Sequence, residues 1–493
     1  MSFCRAGCIR IVGLIVLLTG IACSDNRTDA NPPNADNYQL HWRTCDSAPE
    51  SVRCGELILP GALDVLSFRV LRYQGDNKQP EPLMYLQGGP GYRLDFSARG
   101  LQAWLSFAEH AGLKRDLILL NRRGSNDQCR EYRQARRRTL LLAPERINTG
   151  LSADEALIQC LNRSDTLAVT DYGTRQNAAD VRALMRLLAV PGWHGLGVSY
   201  GTRLAIELAG TAGLQSLVLD SVYPPGMGGV LQSPQLLGQS LDNMAAACRT
   251  DAQCLRAWQT HFADISLSSE AFMHQLRISL ARLQENPVDV TVTLDGWSET
   301  VWVTAPRFLS AAFSAAYNRH RWPRLVAAMA ATEHSGRKAL SQLMQLNVGP
   351  ATPGQSTADT VARLAHTAVD CRDNRLGSEQ EYQQGLSKVG WLKPYMAGTW
   401  QGQICQHWLN AIDPVIWPAP SALAKVPQVT LLAGEFDPIT PVSWAEMVSH
   451  DWPQVQLSVF PASGHSVLNN RPCALGQLER VLNREQKTIE VCE

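Results

Sequence analysis

The sequence predicts an α/β fold: a mostly parallel central sheet flanked by helices and interrupted by one large, mainly helical insertion. Three observations predict it. Short, nearly continuous apolar runs alternate with helical periodicities from about Val52 to Asp220, the rhythm of strands buried on both faces and the helices that cover them. The rhythm stops after Tyr223-Pro224-Pro225-Gly226, and residues 226–425 carry mainly helical patterns. Strand signals then return, and these late strands would lack a sheet unless they rejoin the first one.

Taken in order, the strand-like runs are Val65–Tyr73, Leu83–Gln87, Leu117–Asn121, Trp193–Val198 and Ser216–Asp220. Helices are predicted over Leu101–Ala111, Asn177–Leu188 and Tyr200–Ala209; the second repeats apolar residues at Val181, Leu184, Leu187 and Leu188, a helical spacing. Within the insertion a hairpin is expected over Val288–Val303, turning at Asp295-Gly296. The returning strands are Val429–Ala433 and Val455–Phe460, with a last helix over Ala474–Leu482. The organisation is therefore a core in two parts, 38–225 and 426–493, split by an insert at 226–425.

The N-terminus is of another kind. Arg5 and Arg10 precede the apolar run Ile11–Leu18, and small residues lead to Ala22. This is the layout of a secretory signal over residues 1–22, too short to span a bilayer comfortably. Gly20-Ile21-Ala22-Cys23 resembles a bacterial lipobox, with Gly20 where Leu is usual and Cys23 as the acylated residue. Residues 23–37, with Pro32-Pro33 and no apolar periodicity, read as a flexible tether. The expectation is an exported protein, a periplasmic or outer-membrane lipoprotein or, alternatively, a secreted one, that touches the membrane only through its N-terminal lipid.

Cysteine usage agrees with export. Of thirteen cysteines, Cys4, Cys8 and Cys23 lie in the signal region, and the other ten form no CxxC pair, which argues against zinc ribbons and thioredoxin-like chemistry. Ten in an exported chain read as disulfides. Spacing does not fix their connectivity; nearest-neighbour pairing, 45–54, 129–160, 248–254, 371–405 and 473–492, is expected because each link closes a modest loop. Composition is globular, with 45% apolar and 18% charged residues, and 45 basic residues balance 45 acidic ones. A nucleic-acid partner, which normally demands basic excess, is not expected.

The chemistry concentrates at four strand ends. Gly197-Val198-Ser199-Tyr200-Gly201 lies between a predicted strand and a predicted helix, the setting of a G-x-S-x-G nucleophile elbow, whose glycines clear space around a strained serine. A hydroxyl needs a base to take its proton and an acid to orient that base. Asp437 follows the strand Val429–Ala433, and Gly464-His465 follows the next strand, giving the order Ser, Asp, His. Asp413 and Asp451 are competing acids that follow a strand less neatly. Gly88-Gly89-Pro90-Gly91 follows the strand Leu83–Gln87; the N–H of Gly89 and that of Tyr200, next to the nucleophile, are the expected oxyanion donors. No metal or cofactor is called for.

Together these segments resemble the α/β-hydrolase family of proline iminopeptidases and secreted tripeptidyl aminopeptidases. The resemblance rests on Gly88–Gly91, on Asn121-Arg122-Arg123-Gly124-Ser125 where the family reads Asp-x-Arg-Gly-x-Gly-x-Ser, on Gly197–Thr202, on Asp437-Pro438-Ile439-Thr440-Pro441 and on Gly464-His465. Asp370-Cys371-Arg372-Asp373 and Cys405-Gln406-His407-Trp408 are similar to motifs of the tripeptidyl branch. Asn121 stands where the family has Asp, and Asn126-Asp127 departs from the end of its motif. The resemblance implies an α/β-hydrolase fold whose insert caps the site, and an aminopeptidase acting on peptides with a free N-terminus. An acidic cap group would then anchor the substrate's amine, and Asp370 and Asp373 are the candidates. Two alternatives share the sequence: a carboxylesterase with the same triad, and a catalytically silent surface lipoprotein that binds a partner.

Overall fold

The computed structural model describes residues 37–61, 65–124, 129–141, 153–163, 172–229, 231–294, 297–348, 363–374, 378–396, 404–405 and 420–492. Cys23 with the signal and nearly all of the tether, Asn126-Asp127, the hairpin turn Asp295-Gly296, Gln406-His407-Trp408 and Asp413 lie outside the described residues.

A nine-stranded sheet organises the core. Its strands are β1 (Gln39–Arg43), β2 (Val52–Ile58), β3 (Val65–Leu71), β4 (Leu83–Leu86), β5 (Leu117–Leu120), β6 (Trp193–Val198), β7 (Leu214–Asp220), β10 (Gln428–Gly434) and β11 (Gln456–Phe460), in the spatial order β1-β2-β3-β5-β4-β6-β7-β10-β11. The strands from β5 to β11 run parallel, while β1, β2 and β3 add an antiparallel edge. Every residue of β5 and β6 is buried, which is why these segments read as continuous apolar runs. Of the two strands after the insert, β10 pairs directly with β7, Leu432 opposite Asp220, and β11 pairs with β10. The chain moves one way from β4 to β5 and the other way to β6, so the sheet's switch point lies between β4 and β6, where Leu86 sits opposite Gly197. Ligand crevices in open parallel sheets form outside the strand ends at such points.

The remaining strands, β8 (Val288–Leu294) and β9 (Trp297–Val303), form the separate hairpin expected from the sequence. It packs with helices of the insert around an apolar core of its own, centred on Phe272, Leu276, Phe308 and Trp322. Local signals set these helices: Asp251 and Ser268 cap two of them, and Ser378 and Glu381 form a reciprocal capping box. The insert also touches the first part of the core. The helix Arg130–Leu141, inside the segment assigned to the core, reaches the insert: Arg137 pairs with Glu299 at 2.5 Å, and Arg307 donates to the Thr139 carbonyl at 2.5 Å.

Two elements depart from expectation. The β1–β2 hairpin was not legible, because β1 is almost wholly exposed and lacks an apolar face. The last helix is broken into Pro472–Leu475 and Leu478–Leu482. The five expected disulfides all form, Cys45–Cys54, Cys129–Cys160, Cys248–Cys254, Cys371–Cys405 and Cys473–Cys492.

The last of those helices is fastened to the sheet by charge. Arg115, 2% exposed, donates from Nε and Nη2 to the carboxylate of Glu479 at 3.0 and 3.2 Å, and from Nη1 to the Glu81 carbonyl at 2.9 Å. Arg115→Met strands a buried carboxylate, so it should destabilise the protein by about 3–5 kcal/mol. A urea midpoint within error of the unsubstituted protein would contradict this.

Candidate active site

The nucleophile is built from backbone constraint. Ser199 sits at φ 56°, ψ −124°, between the last residue of β6 and the helix Tyr200–Glu207. A side chain at Gly201 would stand 1.8 Å from the Leu86 carbonyl oxygen, and one at Gly197 would stand 2.6 Å from the Gly201 carbonyl oxygen. Only glycine fits at either place, which accounts for the motif. Ser199 is half-buried between buried neighbours.

Asp437 and His465 come together as expected. His465 Nδ1 lies 2.8 Å from Asp437 Oδ2. The carboxylate also accepts from the Ile439 and Thr440 N–H groups at 3.0 and 2.9 Å and from the Thr440 hydroxyl at 2.7 Å. Burial by itself would raise Asp437, but His465 and the Thr440 contacts outweigh it and hold the group below the usual carboxylate range. His465 shows the converse: burial opposes its charge, yet Asp437 and Asp220 raise its pKa above that of an ordinary histidine. The competing acid Asp451 is exposed at the end of the helix Val442–Asp451.

The structure adds Asp220, the last residue of β7. Its backbone carbonyl accepts from the Ser199 N–H at 2.9 Å, while its carboxylate accepts from the Val467 and Leu468 N–H groups at 2.8 and 3.0 Å. Beside it, the Ser221 hydroxyl accepts from the Ser466 N–H at 2.7 Å. Ser199, Ser221 and Ser466 all have positive φ, a costly conformation for residues with a side chain. The three strained residues are thus tied to one another, and one aspartate joins the nucleophile turn to the histidine loop. Burial pushes Asp220 up to about 6.

The glycine loop lies against the nucleophile. A side chain on Gly88 would meet Ser199 Cβ at 3.2 Å, and Gly89 holds φ +112°. Tyr200 opens its helix, so its N–H has no carbonyl within the helix to bond. Asn121, where the resembling family has Asp, accepts from the Leu94 N–H at 2.8 Å and steadies the loop's far end. Two cap residues close in as well. The Tyr317 ring meets the His465 ring edge-on at 5.4 Å. His366 Nδ1 lies 2.9 Å from the Pro90 carbonyl; a carbonyl only accepts, so this nitrogen carries the proton.

The two candidate amine anchors have different surroundings. Asp373, 5% exposed, accepts from the N–H and the hydroxyl of Thr174, whose Oγ lies 2.9 Å from the Tyr200 hydroxyl. Asp370 accepts from the Asn374 amide. Asp373 joins the cap to the core behind Tyr200, with both oxygens engaged, whereas Asp370 is half-buried and its hydrogen bond to Asn374 uses Oδ1.

The sequence matches the family described as "alpha/beta hydrolase fold" over residues 81–472. A search of curated protein sequences gives no match. Similar solved structures include a proline iminopeptidase from Mycobacterium smegmatis, at 16% identity and TM-score 0.36, covering 85% of this chain and 94% of that one. An alpha/beta hydrolase fold protein from Chitinophaga pinensis shares 11% identity at TM-score 0.35, covering 91% and 98%. An esterase from Exiguobacterium antarcticum shares 12% at TM-score 0.31, covering 85% and 95%.

The pKa directions yield a pH prediction. A base must be neutral to accept a proton, so kcat/KM should fall as pH drops through the raised pKa of His465, at a midpoint above that of an ordinary histidine. The Asp220 carboxylate favours the imidazolium, so Asp220→Asn should move this acid limb to lower pH. A limb that stays in place, or shifts upward, would remove Asp220 from the electrostatics of His465.

Proposed function

The chain belongs to the alpha/beta hydrolase fold family, and from that premise we propose that it is an exported serine hydrolase, an aminopeptidase that releases N-terminal residues or short peptides. The observation that carries the reading is the set of groups at the strand ends: a strained Ser199, an oriented His465–Asp437 pair and a glycine loop pressed against the nucleophile.

Ser199 Oγ attacks the acyl carbonyl while His465 accepts its proton, and Asp437 stabilises the resulting imidazolium through Nδ1. The negative charge that develops on the carbonyl oxygen meets the N–H groups of Gly89 and Tyr200. His465 then gives the proton to the departing amine, leaving an acyl-serine. Water, deprotonated by the same imidazole, releases the acid and restores Ser199.

Support for a peptidase comes from the five segments that resemble iminopeptidases and tripeptidyl aminopeptidases, in family order. A cap that reaches both the histidine and the glycine loop, through Tyr317 and His366, suits a site that admits chain ends and excludes folded protein. The carboxylesterase reading has one observation in its favour: Asp373 is hydrogen-bonded within the cap–core joint, so the anticipated charge for a substrate amine is not free. Five disulfides support export, and lipidation at Cys23 belongs to the same proposal. Among the described residues no helix is long and apolar enough to cross a membrane.

A fluorophosphonate should label Ser199, and Ser199→Ala should lose the label together with on the order of 10⁴–10⁶ of the rate; a labelled, active variant would end the serine-hydrolase reading. N-acetylation of a peptide substrate should slow turnover about ten- to a hundredfold, the worth of one charge-assisted contact. Equal rates on free and acetylated peptides would end the aminopeptidase reading, and faster turnover of simple acyl esters would favour the esterase.

A further inference from the structure

Arg122 follows β5 at the position that the resembling family leaves variable within its Asp-x-Arg-Gly motif. Its side chain does not reach solvent: the residue is 7% exposed, and among the described residues it faces no carboxylate. Instead Nη1 donates to the Gln87 carbonyl at 2.7 Å and Nη2 donates to the Gly88 carbonyl. The guanidinium carbon also lies 4.8 Å from the centre of the Tyr200 ring. One buried cation therefore touches both segments that carry the expected oxyanion donors.

The geometry of a trans peptide gives this contact a direction. C=O and N–H of one peptide unit point opposite ways. Gly88 C=O and Gly89 N–H belong to the same unit, and the cis bond of this loop is the next one, Gly89–Pro90. A donor that grips the Gly88 carbonyl from the β5 side turns the Gly89 N–H away from Arg122. The Gln87 carbonyl fixes the Gly88 N–H in the same manner. Asn121 is neutral where the resembling family carries an acid, so no charge at that position cancels the guanidinium. A cation bound to an amide oxygen also polarises the amide and strengthens its N–H as a donor.

We infer that Arg122 is the positioning residue of the oxyanion site: it aims the Gly89 N–H through the Gln87 and Gly88 carbonyls, and it seats Tyr200 through its ring. The inference rests on the serine-hydrolase reading and goes beyond it, since the residue touches neither the substrate nor the triad. It does not depend on whether the substrate is a peptide or an ester.

The test uses Arg122→Met, Arg122→Gln and Arg122→Lys in the full chain, with active sites counted by end-point fluorophosphonate titration and with any substrate that the unsubstituted enzyme turns over. Arg122→Met should lose about a hundredfold in kcat per titrated site, the scale of one oxyanion donor, with KM within about threefold. Its affinity for a boronic acid that forms a tetrahedral adduct on Ser199 should fall by the same factor. Arg122→Lys, which keeps a cation able to reach one carbonyl, should recover at least tenfold. Should the Met variant fail to fold, the Gln and Lys variants decide, with the larger loss expected for Gln. Unchanged kcat and boronate affinity per titrated site, with only a lower melting temperature, would overturn the inference and leave Arg122 a packing residue. An unsubstituted enzyme that neither labels nor turns over any substrate would instead sink the hydrolase reading, and this inference with it.

Discussion

The site depends on Asp220. Its main chain holds the amide of the nucleophile, and its buried carboxylate holds two amides of the loop that carries His465. Ser199 and His465 follow strands separated in space by β7 and β10, and a sheet by itself fixes only where those strands end. What fixes the turns beyond them is a residue on the intervening strand. The arrangement has a cost, because a carboxylate out of water favours its neutral form, and Asp220 is pushed up accordingly. The amides of Val467 and Leu468 and the nearby His465 offset part of it.

The cap enters the same network from the other side. Asp373 reaches Thr174, and Thr174 reaches the hydroxyl of Tyr200, so the residue whose amide flanks the nucleophile is gripped at its far end by the cap. Tyr317 lies on His465, and a side chain at Gly464 would meet the Tyr317 carbonyl oxygen at 2.4 Å. The cap thus seats directly on the loop that carries His465. Sheet and cap each have a large apolar core, and they meet through these polar contacts and through a small apolar cluster in which Tyr172 and Tyr200 pack on Ala365, Ala368 and Val369.

How much of this the sequence discloses follows from the kind of constraint involved. Ser199, Asp437 and His465 are legible because backbone geometry demands glycine at 197 and 201, and because acid and base each follow a strand. Thr440 is explained too, as the hydroxyl on Asp437. Asp220 is not legible, since it reads as the polar end of an ordinary strand. Arg122 is lost among many arginines until its burial is known. Tyr317 and His366 act only through the docking of the cap, and docking leaves no periodic signal. Charge alone singles out Asp370 and Asp373, but it does not disclose that Thr174 engages both oxygens of Asp373.

The split sheet also orders events in time. β7 meets β10 across more than two hundred residues of chain, and the acid and base arrive with the final two strands. A ribosome or a translocation channel delivers the chain from the N-terminus, so the nucleophile emerges long before anything can activate it. Any fragment ending ahead of β10 has the serine, the glycine loop and most of the cap, but no base. Asp220 in such a fragment has no histidine loop to hold. Hydrolytic power therefore switches on only when nearly the whole chain has been delivered and folded.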